Sequence, residues 1–143
     1  MNLGELFRSE VITVSPDDSL STAMRQMDDN NVGAVVVVRD RKVVGILTDR
    51  DVALALALTA DEVTPDSVVG DVMTRDVLTI WEDQGLFNAT QYMQGHRVRR
   101  LPVINRDNEL VGMVTLDDVV ALLGQELRNL GTAIEPTLQA KSF

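Results

Sequence analysis

The chain has 143 residues, enough for one ordinary domain with a real core, and its 45% hydrophobic content is globular rather than disordered. Thirteen basic residues stand against 22 acidic ones, a net charge of −9, and the aromatics are only Phe7, Trp81, Phe87, Tyr92 and Phe143. That balance argues against nucleic acid, which demands a positive field and a stacking platform, and the absence of cysteine excludes disulfide and thiolate chemistry.

The start, Met1-Asn2-Leu3-Gly4-Glu5, is neither basic nor followed by a long apolar run, so no secretory leader is expected. The longest apolar stretches, Ala34 to Val38 and Val52 to Leu58, fall far short of the about 20 residues a bilayer requires. A cytoplasmic chain with no membrane association is the expectation.

In chain order, Val11-Ile12-Thr13-Val14 reads as a short extended piece, and Ser15-Pro16-Asp17-Asp18 as a helix-start signal. Leu20, Ala23, Met24 and Met27 then follow the spacing of an amphipathic helix. The β-branched run Gly33 to Val38 predicts a strand buried on both faces, Arg39 to Lys42 a polar turn, and Val43 to Leu47 the returning strand. Val52 to Leu58 alternates like a strand, but its alanines and leucines favour helix and a capping signal stands just upstream.

The same pattern then repeats. Leu3-Gly4-Glu5-Leu6-Phe7 matches Val69-Gly70-Asp71-Val72-Met73 at an offset of 66, and Leu20, Ala23 and Met27 match Leu86, Ala89 and Met93. After one extra residue near Asn108 the offset becomes 67, aligning Gly45-Ile46-Leu47-Thr48 with Gly112-Met113-Val114-Thr115. The predicted organisation is a first unit at 1–60, a connector at 61–68, a second unit at 69–124 and a tail at 125–143. One unit is too small to bury its apolar surface, so the two are expected to share a core.

Two patterns could carry chemistry. Gly-h-h-Thr-x-x-Asp (h, hydrophobic) occurs twice, as Gly45, Thr48, Asp51 and as Gly112, Thr115, Asp118. At a strand-to-helix junction this is a capping box, but free amides, a hydroxyl and a carboxylate also suit phosphate and a ribose diol. The second is His96-Arg97-Val98-Arg99-Arg100-Leu101-Pro102-Val103-Ile104, whose arginines give an acidic chain the local positive charge an anionic ligand needs. The first unit has Asn31-Val32-Gly33-Ala34 at that place, so the halves are not equivalent. His96 is the only histidine, which rules out a multi-histidine metal site or more than one such base, and no set of residues assembles into an enzyme.

Two tandem β-α-β-β-α units, each opening its last helix with Gly-h-h-Thr-x-x-Asp, resemble a CBS domain pair, or Bateman module, over Leu3 to Gly124. The resemblance implies an α/β (α+β) fold with pseudo-two-fold symmetry. It further implies an adenosine ligand (AMP, ADP or ATP, or a related adenosyl compound) in a cleft between the repeats. It places Asp51 and Asp118 on the ribose and Thr48 and Thr115 near ribose and phosphates. Val11, Ile12, Val77 and Leu78 would border the adenine, and Arg99 and Arg100, with Pro102 nearby, the phosphates. A regulatory homodimer acting on a separate effector protein is then expected; a ligand-free dimerisation and docking module is the alternative.

Overall fold

The computed structural model describes residues 1–141, with the side chains of 135–141 left aside. The first repeat comprises α1 (Leu3–Phe7), β1 (Thr13–Val14), α2 (Leu20–Asp29), β2 (Ala34–Arg39), β3 (Lys42–Thr48) and α3 (Asp49–Leu58). A 3-10 turn at Val69–Asp71 opens the second, followed by β4 (Ile80–Trp81), α4 (Leu86–His96), β5 (Arg100–Ile104), β6 (Leu110–Thr115) and α5 (Leu116–Lys141). The architecture is the expected one: two three-stranded sheets ordered β1-β2-β3 and β4-β5-β6, the first pair of each parallel and the second antiparallel. Even the register shifts correspond, at Val37/Val38 and Val103/Ile104.

The helix start in the first repeat lies later than Ser15-Pro16-Asp17-Asp18 suggests. Those residues close a turn, with Ser15 N–H donating to Asp18 Oδ2 at 2.8 Å, and the cap of α2 is Ser19, whose hydroxyl accepts from Thr22 N–H at 3.1 Å. In the second repeat Gly85 takes the cap position without a side chain to fill it. The tail, unassigned from sequence, continues α5 as one helix to Lys141.

The repeats do not share one core. They build two, each completed by the opposite copy. Leu3 of α1 is fully buried among Ile80, Ala89, Leu101, Val103 and Val114, whereas Val69 and Met73 are buried among Leu20, Val35, Val37 and Leu47. Matched hydrogen bonds hold each leading segment in place. Leu3 and Gly4 donate to Gln84 and Glu82 carbonyls at 2.8 Å; Val69 and Gly70 donate to those of Asp18 and Pro16 at 2.8 and 2.9 Å. Lys42 and Glu109, equivalent residues, bridge to each other, so the pseudo-two-fold axis passes between them.

This crossing explains the motif glycines. A Cβ on Gly112 would stand 2.1 Å from the Phe7 carbonyl oxygen, and one on Gly45 would stand 2.4 Å from Met73 Sδ and 2.9 Å from the Thr74 carbonyl oxygen. Only a residue without a side chain lets the other repeat's leading segment run against the strand.

Candidate functional site

Where the first repeat's segment before β1 passes the sheet of the second, it leaves a cleft of about 330 Å³, at the lower end of the range for small-molecule sites. One wall is Val11 and Ile12 with Gly33, Ala34 and Val36; the other is Arg100, Met113 and Thr115. Strand pairing fixes the second wall. Arg100 and Thr115 are register partners at the ends of β5 and β6, so their side chains emerge together on one face. A neighbouring hollow of about 420 Å³ shares Ser9, Glu10 and Val11 and extends the groove toward Arg41 and Glu109.

Four of the residues singled out from sequence thus meet in this cleft: Val11, Ile12, Arg100 and Thr115. The others stand elsewhere. Asp118, in the first turn of α5, lines an adjoining hollow with Arg8 and Ser9; Ser9 and Met113 border both cavities, which sets them side by side. Arg99 is exposed and faces Asp117 at 3.9 Å, away from the cleft wall. Thr48, Asp51, Val77 and Leu78 occupy the pseudo-symmetric positions on the other side of the pair, and Pro102 is buried in β5.

The two Thr/Asp motifs, identical in sequence pattern, are not in the same state. Asp51 N–H donates to Thr48 Oγ1 at 3.1 Å and Thr48 N–H donates back to Asp51 Oδ2 at 3.2 Å, a closed capping box. In the second copy Asp118 N–H donates to Thr115 Oγ1 at 3.1 Å with no return bond, so among the described residues the Asp118 carboxylate is uncommitted. The arginines differ likewise. Arg99 has its acidic neighbour, while among the described residues no carboxylate lies within ion-pair distance of Arg100.

Pro102 adds a further difference, which sequence reasoning passed over. In the first repeat Val36 N–H donates to the Ile12 carbonyl at 3.2 Å. The equivalent of Val36 is Pro102, which has no N–H to offer, so the Leu78 carbonyl loses that partner and pairing of β4 with β5 starts one residue later. Glu10 was missed as well. It sits on the rim of both hollows, and its negative charge works against Arg100 for any anion.

The CBS domain family model matches residues 3–58 and 69–125. Among relatives, the CBS domain-containing protein YhcV of Bacillus subtilis is 39% identical over 112 residues, covering 78% of this chain and 77% of its own. An uncharacterised protein of Methanopyrus kandleri is 32% identical, with 84% of this chain and 61% of its own covered. The inosine-5'-monophosphate dehydrogenase of Methanocaldococcus jannaschii is 38% identical over 81% of this chain, which spans only 22% of that enzyme. Two solved structures are similar throughout. The CBS domain pair of protein MJ0100, in complex with 5'-methylthioadenosine and S-adenosyl-L-methionine, superposes with a TM-score of 0.76 at 26% identity, covering 88% of this chain and 98% of that one. CBSX2 in complex with AMP gives 0.74 at 28% identity, covering 87% and 96%.

Proposed function

Because the chain belongs to the CBS domain family, as a tandem pair, we propose that it is a non-catalytic regulatory module that binds an adenosine nucleotide in the Val11–Thr115 cleft. The observation that carries this reading is the make-up of the cleft: apolar on the side of Val11, Ile12, Ala34 and Val36, and cationic and hydroxylic at Arg100 and Thr115. A base packs against the apolar wall, with backbone groups at Val11 and Ile12 available to its edge. Phosphate is met by the Arg100 guanidinium and the Thr115 hydroxyl, and the uncommitted Asp118 carboxylate, in the hollow next to the cleft, accepts the ribose hydroxyls. The adenosyl compounds in the MJ0100 and CBSX2 complexes support the same ligand class, with AMP, ADP or ATP the expected members.

The module reports an energy or metabolite level in the cytoplasm, as a homodimer, to an effector protein. A thermal-shift panel of AMP, ADP, ATP, NAD, cyclic nucleotides and S-adenosylmethionine tests the reading, since a ligand that binds only the native state raises the midpoint by mass action. A shift with at least one adenosine compound, corresponding to micromolar affinity or about −7 to −8 kcal/mol, is the expected result. Silence from every compound at millimolar concentration would overturn it in favour of a ligand-free assembly module.

A further inference from the structure

Helix α5 runs past the end of the family match at residue 125 as far as Lys141, about 24 Å of additional helix at 1.5 Å per residue. An isolated helical segment of that length is marginal in water, and this one also carries Gly131 and Pro136, both unfavourable within a helix. Something must cover it. Along α5 the exposed apolar residues are Leu116, Val120, Leu123, Leu127, Leu130 and Ile134, from 37% exposed at Leu116 to 70% at Leu127. Their spacing alternates strictly between four and three residues, the heptad seam of a coiled coil. Val119, on a different face of the same helix, is buried in the second core, so the seam is not the face that anchors α5 to its own chain.

We propose that the seam pairs with the same helix of a second copy, in a parallel two-stranded coiled coil. The residue types select that occupant. Val120, Leu127 and Ile134 fall at a and Leu116, Leu123 and Leu130 at d; β-branched residues at a with leucine at d favour parallel dimers over higher orders. Gly124 and Gly131 both fall at e. A Cβ on Gly131 would meet nothing within 4 Å, and one on Gly124 only the end of the Arg128 side chain at 3.6 Å, so packing within the chain does not require either glycine. A helix laid against the seam would approach at these bare backbone positions. Charge does not oppose the pairing either: in the parallel register Glu126, at g, faces Gly131 of the second copy rather than another acid, despite a net charge of −9. This rests on the homodimer reading above and is independent of the nucleotide.

The test uses the full chain. Light scattering at tens of micromolar compares it with the double variant Leu127→Glu/Leu130→Glu, both substitutions lying on exposed helix away from the cleft. A dimeric parent and a monomeric variant with the same nucleotide-induced thermal shift are expected. A monomeric parent would overturn both the coiled coil and the homodimer; a variant that stays dimeric would overturn the coiled coil alone and move the interface to other helices. Direction is read separately. The chain has no cysteine, so Leu123→Cys and Leu130→Cys each report on one position. In the parallel register both form disulfide-linked dimers under mild oxidation, whereas an antiparallel pair brings at most one of them together, which would refute the parallel arrangement.

Discussion

Replacing Arg100 by alanine isolates the charge on which nucleotide binding depends. Arg100 lies on the cleft wall with no carboxylate partner among the described residues, so its guanidinium is free for a phosphate. A hydrogen bond to a charged group contributes about 1.5–3 kcal/mol. Arg100 is exposed, so salt screens it and the lower end applies: about 1.5 kcal/mol, or about tenfold in Kd. Calorimetry with ADP and with adenosine separates charge from shape. Arg100→Ala should weaken ADP about tenfold and adenosine hardly at all, and the ADP loss should shrink as salt rises. Arg99→Ala serves as the neighbour control. Its side chain faces Asp117 at 3.9 Å and does not line the cleft, so ADP affinity should stay within about twofold. Unchanged ADP affinity in Arg100→Ala, or equal losses for ADP and adenosine, would show the guanidinium to be a solvated surface charge and refute the reasoning.

Two further predictions follow from the motif residues. Gly112→Ala drives a Cβ onto the Phe7 carbonyl and should cost about 1–3 kcal/mol, lowering the melting temperature by about 3–10 °C; Gly45→Ala should cost less because its nearest neighbour is the movable Met73 thioether and the Thr74 carbonyl, at 2.9 Å, is only slightly too close. Equal melting temperatures for Gly112→Ala and the parent would contradict the crossing. Asp51→Ala opens a closed capping box and should lower stability by about 1 kcal/mol, while Asp118→Ala should leave the apo melting temperature nearly unchanged and weaken nucleotide binding. Denaturation without ligand, followed by calorimetry, tells the two aspartates apart; identical behaviour would refute the difference.

The internal repeat, the order of strands and helices and the two Thr/Asp motifs were legible because each leaves a local pattern: an offset, a period, a spacing. The exchange of leading segments was not. Matching Leu3 to Val69 establishes that the two residues are equivalent, but an equivalence reads the same whether each joins its own core or the other's. The trace it leaves is Gly45 and Gly112, which in sequence belong equally well to a ligand motif. The arginine cluster divides in a way its spacing does not show: Arg100 opens β5 and lines the cleft, whereas Arg99, in the bend just before the strand, faces Asp117.

The separate surroundings of Arg99 and Arg100 bear on how many nucleotides one chain should hold. A duplicated module begins with two identical clefts, and any substitution near the pseudo-two-fold axis acts on both from opposite sides. Ala34 and Arg100 are equivalent by the repeat offset, and both line the one cleft. They therefore stand near the axis, where a single arginine answers for two positions. Around the opposite pair of motifs, Asp51 is already engaged in its capping box. The Val11–Thr115 side keeps a free carboxylate and a free guanidinium. Arg100 is the cation of the Val11–Thr115 cleft, without a carboxylate partner among the described residues, and in a chain of net charge −9 a second phosphate-bearing ligand drawing on the same guanidinium would have to compete for it, so the physical argument favours one dominant nucleotide per chain.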